Sequence, residues 1–200
     1  MGGDALRWSE YLSVPWKNGG GMTREVASGT VQASMASAEI TDGFDWRVSV
    51  ADVDAGGPFS AFPGIDRVIT LVEGEGMVLT VDGTPHTVRP LTPFAFSGDA
   101  ATDCRLEEGA VRNVNVMTRR SRATATVRIV SVAASREAEM ACGAGGTLLV
   151  MAVTEGIAVG GRDGRETTLG HLDCVHHEGP TVLTLRGDGM VAGIRITATG

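Results

Sequence analysis

Lysine is almost missing from this chain: sixteen of its seventeen basic residues are arginine, and the one lysine is Lys17. Aromatic residues are scarce as well, with three Trp, one Tyr and five Phe in 200 residues. No apolar run approaches the roughly 20 residues that a membrane-spanning helix needs, so no such span is expected. The segment up to Trp16 carries Asp4 and Glu10 and lacks an apolar h-region, which argues against a signal peptide. Cys104, Cys142 and Cys174 are odd in number, far apart and without a CxxC pair, so they read as reduced thiols of a cytoplasmic protein. With a net charge of −7 and no long block of one sign, a nucleic-acid binder held by a broad basic surface is disfavoured. The one basic cluster, Arg119-Arg120-Ser121-Arg122, reads as a solvated turn near a unit boundary at residue 120.

Glycine is what the chain has in quantity, 28 residues, and with seven prolines it punctuates many short segments of period two. Phe44, Trp46, Val48 and Val50 alternate with Asp45, Arg47 and Ser49. Val68 to Val72 suits a strand buried on both faces. Met77 to Val81 leads through the hairpin signal Asp82-Gly83 to His86-Thr87-Val88. From Val111 to Met117, Val114 and Val116 lie opposite Asn113, Asn115 and Met117. Further strands are expected over residues 124–132, 147–153, 157–159, 181–185 and 191–196. The best helix candidate is Ser135 to Ala141, with Ser135 as cap and Glu137 and Glu139 in the first turn. Short strands at this spacing predict a sandwich or barrel.

The hexapeptide Trp16-Lys17-Asn18-Gly19-Gly20-Gly21 sets the lone lysine between an indole and three residues without Cβ. An ammonium there is a compact charge with three donors. The glycines let backbone approach a ligand or a neighbouring strand closely. They follow the lysine rather than precede it, so this is not a phosphate-binding loop.

A second stretch, Gly57-Pro58-Phe59-Ser60-Ala61-Phe62 running on through Asp66-Arg67 to Gly74, resembles the first cupin motif. That motif has two histidines one residue apart, a glutamate, six residues and a glycine. Here Ser60 and Phe62 stand at the histidine positions and Arg67 at the glutamate position. Serine, phenylalanine and arginine do not make a ligand set for a divalent ion, so neither metal nor cofactor is expected. Trp16 to Gly21 with Thr23-Arg24-Glu25, then Phe44-Asp45-Trp46-Arg47, the cupin-like stretch, and Asn115-Val116-Met117-Thr118-Arg119-Arg120 stand in the order found in the HutD/Ves family. On these words the chain is identified as a member, by motif over about residues 6 to 122 and by strand texture afterwards.

The resemblance implies an all-β bicupin: two cupin-type β-barrel or jelly-roll halves in one chain, with little helix. Residues 1–120 would form the N-terminal barrel with the pocket, and residues 121–200 a degenerate C-terminal half packed with it. Members often accompany histidine-utilisation genes, which implies a small-molecule-responsive modulator of that pathway. Asn113 stands where the family has an acidic residue, so the family's pocket contact at that position is not carried over.

Polar residues available to such a pocket are Thr23, Glu25, Arg47, Ser49, Ser60, Arg67 and Asn115, with Lys17 and Asn18 at the mouth. Trp16, Phe62 and Met117 would supply apolar walls. Arginines and a lysine among Ser, Thr and Asn donors suit a carboxylate, because guanidinium grips that group through two N–H bonds. The expected partner is a small organic anion, with urocanate or formylglutamate as the family-guided choices; a homodimer through exposed strand edges stays open. Pairing of Arg47 with Asp45, Asp66 or Glu25 is an equal alternative, and Glu25 reads as orienting Lys17 or Arg47 rather than as a general base. No Gly-x-Ser-x-Gly elbow or Cys–His arrangement is evident. Two other readings remain: a metal-independent isomerase or lyase using Glu25 or Lys17, and a protein-interaction scaffold. His171, Asp173, Cys174, His176 and His177 form the one local group of metal-ligating types, at no standard zinc spacing, and His86 is expected to be exposed in a hairpin.

Overall fold

The computed structural model describes residues 5–16, 19–31, 43–161 and 164–199. Apart from one short 3-10 turn, Trp8–Glu10, the regular structure of these residues is strand, as the alternating pattern requires. The Met77–Val81 and Thr84–Val88 hairpin shows why: Asp82 and Gly83 both have positive φ, 46° and 81°, the geometry that matches the strands' twist.

The chain forms two compact units. The first comprises residues 12–124 with Thr199. It contains a six-stranded sheet in the order Ser13–Pro15, Gly21–Gly29, Trp46–Val53, Val111–Arg119, Ile65–Glu73, Phe94–Ser97. Its four-stranded sheet runs Gly57–Pro58, Thr102–Leu106, Met77–Val81, Thr84–Val88. Val53, Ile69, Leu71, Met77, Leu79, Val88, Cys104 and Val111 form its main apolar cluster. Burying this much aliphatic surface is the principal source of its stability.

The second unit joins residues 5–11 to 125–198. One sheet has the order Ala5–Leu6, Cys174–Glu178, Gly146–Ala152, Gly189–Ala198, Ala123–Val132, and the other Ala138–Cys142, Thr181–Gly187, Ile157–Gly160, Glu166–Leu169. Leu148, Val150, Ile157, Val159, Leu169, Val175, Leu183, Leu185 and Val191 pack together as its core.

Two expectations need correction. A boundary at residue 120 assigns the N-terminal residues to the wrong unit. Ala5 and Leu6 pair with Val175 and Cys174, and the Asp173 carboxylate accepts hydrogen bonds from Arg7 Nη1 at 2.6 Å and the Trp8 amide at 2.9 Å. The helix expected from Ser135 to Ala141 is instead a turn followed by the strand Ala138–Cys142, laddered to Thr181–Gly187. Ala138, Met140 and Cys142 turn inward while Glu139 and Ala141 are exposed, so the true period there is two.

Candidate functional site

Register across the six-stranded sheet puts the polar residues of the first unit into rows. Arg47, Met117 and Arg67 lie side by side; Ser49, Asn115 and Ile69 form the next row; Ala51, Asn113 and Leu71 the third. Strand alternation sends every second residue to the same face, so these rows share one face. A cavity of about 490 Å³ opens over them, lined by Arg47, Ser49, Ala51, Arg67, Asn113 and Asn115 from the sheet and Thr23 beside them. Ser60, Phe62, Phe59 and Pro58 close it from the loop before Ile65, and Val14, Pro15 and Trp16 from the N-terminal side.

Arg67 is only 7% exposed. Its Nε and Nη2 both donate to Asn115 Oδ1 at 3.3 Å, and its guanidinium carbon lies 4.9 Å from the Phe96 ring centre and 5.4 Å from those of Phe59 and Phe62. Burial, and then the neighbouring charge of Arg47, lowers its pKa to about 10. Arg47 lies over the Phe44 and Phe62 rings at 5.0 and 5.9 Å and donates from Nη2 to Met117 Sδ at 3.2 Å, while its buried Nε has no hydrogen-bond partner. The acids proposed as partners for Arg47 are engaged elsewhere. Asp45 accepts from the Val31 amide and faces Arg122, Asp66 pairs with Arg120, and Glu25 accepts from Ser28 Oγ at 2.8 Å. Among the described residues no carboxylate pairs with Arg47 or Arg67. Two cations, Arg67 buried and Arg47 half-buried, are thus held by aromatic faces, a thioether and a neutral amide, with no carboxylate beside them among the described residues.

The Trp16 wall is fixed by its hydrogen bonds to Gly19, Gly21 and Thr23. Trp16 accepts from the Gly19 amide and donates its own amide to Gly21 O, its Nε1 donates to Thr23 Oγ1 at 2.8 Å, and its ring meets Phe59 edge-on. Gly21 serves close approach to a neighbouring strand: a Cβ there would lie 2.2 Å from the Asp52 carbonyl oxygen.

Of the residues expected at the pocket, Trp16, Thr23, Arg47, Ser49, Ser60, Phe62, Arg67 and Asn115 line the cavity; Lys17 and Asn18 lie outside the described residues. Two expectations are corrected. Met117 is fully buried beneath Arg47 with Phe44 and Ile65, supporting the guanidinium rather than forming a wall. Glu25 is exposed and lines no part of the cavity, because the register slips at Glu25/Ala27 and a bulge re-aims the strand. Glu25→Gln is therefore expected to leave stability and the affinity for any bound acid within about 0.5 kcal/mol of the parent, as calorimetric titration would check. Sequence reasoning missed Val14, Pro15, Ala51, Pro58 and Phe59, and it named Asn113 as a departure from the family at a pocket contact without counting it as a lining residue. The alternation that marked Asn115 and Arg47 extends to Asn113 and Ala51, so that signal was present.

The positions corresponding to cupin ligands, Ser60, Phe62 and Arg67, do lie together at the cavity, but a fixed positive charge and a phenyl ring there do not fit a divalent cation. Elsewhere, Asp173 is engaged with Arg7, Trp8 and Gly170, and His171 Nδ1 with Val153 O; among the described residues no three His, Cys, Asp or Glu side chains gather around a common point. Burial lowers the pKa of His176. His86 is half-buried against Phe94, at 5.1 Å between ring centres, rather than exposed. The arginine cluster is a turn whose side chains are spent locally, Arg119 on Phe44 O, Arg120 on Asp66 and Asp99, and Arg122 on Asp45. All three cysteines are buried and free, and no helix of the described residues is long and apolar enough to cross a membrane.

The HutD family model matches residues 8–192. An uncharacterised 21.2 kDa protein from the hutC 3′ region of Pseudomonas putida is 39% identical over 185 residues, covering 87% of this chain and 86% of its own length. The solved structure of HutD from Pseudomonas fluorescens superposes with a TM-score of 0.81 at 35% identity, over 98% of this chain and 99% of that one. A cupin conserved-barrel protein from Leptotrichia buccalis shares the fold, with a TM-score of 0.59 at 8% identity over 100% of this chain and 98% of its own.

Proposed function

As this chain belongs to the HutD family, we propose that it is a binding protein for a small carboxylate, held in the first unit by Arg47 and Arg67, and that it modulates histidine utilisation in response. One observation carries the reading: Arg67 is buried and charged, yet among the described residues it meets a neutral amide, aromatic rings and the like charge of Arg47, and no carboxylate. A carboxylate would meet the guanidinium edges with charge-assisted hydrogen bonds, while Phe59, Phe62 and Trp16 exclude water. The naming of the P. putida relative by its hutC neighbourhood supports the pathway, and urocanate and formylglutamate are the first candidates.

A thermal-shift screen with histidine, urocanate, formylglutamate, glutamate and formate tests this. An acid at 100 times its dissociation constant is expected to add roughly 2.7 kcal/mol of stability. No shift with any of the acids would overturn the proposal. Binding is also expected to depend on pH in one direction. The charged form of Arg67 is the one that binds, and its pKa stands at about 10. Affinity should hold through neutral pH, then fall as pH rises through about 10, because an anion bound beside the guanidinium raises that pKa and loses its partner when the proton leaves.

A further inference from the structure

We infer that the ligand carries, besides its carboxylate, an N–H or O–H donor at its far end, and that Asn113 selects for it; this rests on the carboxylate reading above. Asn113 lines the cavity and is 2% exposed, yet its Oδ1 has no hydrogen-bond partner. Its amide orientation follows from its neighbour. Nδ2 donates to Ala51 O at 3.4 Å, and the opposite orientation would set two oxygens against each other, so the oxygen is the amide atom left unpaired beside the cavity. The neighbouring strand bulges beside it: the register of Ile65–Glu73 slips between Arg112 and Asn113, with Val72 as the extra residue, while Asn113 keeps regular pairing with Ala51 on its other side. Ser49 Oγ, in the next row and 1% exposed, is likewise without a partner.

A buried acceptor left unsatisfied is costly, so this pair marks where a ligand supplies hydrogen bonds. Ser49 serves either polarity; Asn113 Oδ1 accepts only. The spacing sets a length. Asn115, which holds the Arg67 guanidinium, stands two residues from Asn113 on the same strand, roughly 7 Å along it. The ligand class is therefore a short acid with its carboxylate at Arg67 and an amide, imidazole or hydroxyl donor about that far away, across an apolar spacer that rests on the phenylalanines.

The test compares acids of similar length, one member of each pair carrying an N–H donor at the far end and the other only oxygen acceptors there, titrated by calorimetry. One pair is 4-carbamoylbutanoate and monomethyl glutarate; a second is 3-(imidazol-4-yl)acrylate and 3-(furan-3-yl)acrylate; propionate serves as a plain acid. The donor-bearing member of at least one pair should bind about tenfold more tightly, since an ester or furan oxygen would face Asn113 Oδ1 acceptor to acceptor. Asn113→Leu should bring the two members within about twofold of each other, and Asn113→Ala should do the same if the leucine variant does not fold. Equal affinity within both pairs, or a preference that survives either substitution, would overturn the inference. Propionate binding with neither pair bound would also overturn it while leaving the carboxylate reading intact; no acid bound at all would fail that reading itself.

Discussion

Arg67→Met is expected to abolish binding of the small acid without lowering the melting temperature of the unliganded protein. Both halves follow from the same geometry. The lowering of the Arg67 pKa from the ordinary guanidinium range to about 10 corresponds to on the order of 3 kcal/mol by which burial penalises the charged form relative to its exposure in water. Methionine removes that cost, keeps an unbranched apolar side chain against Phe59, Phe62 and Phe96, and gives up cation–π contacts and two long hydrogen bonds to Asn115. These opposing changes are of similar size, so the melting temperature should equal or exceed that of the parent. Binding has no such compensation. Loss of a charged, two-pronged donor to a carboxylate should weaken affinity by about a hundredfold or more. Parallel melts and titrations of the two proteins check the result. A destabilised variant that still binds would mean that Arg67 is a structural cation.

Gly21→Ala should have the largest effect on stability of any single-methyl change near the cavity. The added carbon would lie 2.2 Å from Asp52 O and 3.2 Å from Trp16 Cε3. Asp52 O belongs to a central strand, and the Asp52 carboxylate is held by both Arg24 and Arg112, the latter at 2.5 Å, so that strand cannot yield cheaply. Overpacking of this kind costs about 2–3 kcal/mol, or roughly 4–12 °C for a chain of this size. Because Gly21 O accepts the Trp16 amide, ligand affinity should fall as well. A thermal melt unchanged to within about a degree would show that the sheet tolerates the shift.

Much of the site was readable because strands have a period of two. Arg47 with Ser49, and Asn113 with Asn115, declare a shared face by their spacing, and the run from Ser60 to Arg67 brings a loop and a strand to the same cavity. Features that depend on distant parts of the chain were not readable. The bulge at Glu25/Ala27 arises from pairing with Trp46–Val53, and alternation alone leaves Glu25 facing inward. Met117 shares its row with both arginines, and only their reach over it decides that it is a floor rather than a wall. Propensity and capping favoured a helix at residues 135–141, where a partner strand more than forty residues away prevails. The same holds for Ala5–Leu6, whose partner lies at Cys174–Val175. That Arg47 and Arg67 have no acid beside them among the described residues is a property of three-dimensional placement, since Asp45 stands two residues from Arg47 and Asp66 is next to Arg67 in sequence.

The decisive experiment is a titration of arginine-¹⁵N-labelled protein with urocanate or formylglutamate, following the side-chain Nε–H and Nη–H resonances of Arg47 and Arg67 assigned with Arg→Lys variants. If the cavity is a carboxylate receptor, both sets of signals should shift downfield and exchange more slowly on saturation, while those of Arg120, engaged with Asp66 and Asp99 at the surface, stay in place. Saturable binding of the acid with the Arg47 and Arg67 signals unmoved would contradict the assignment of the site.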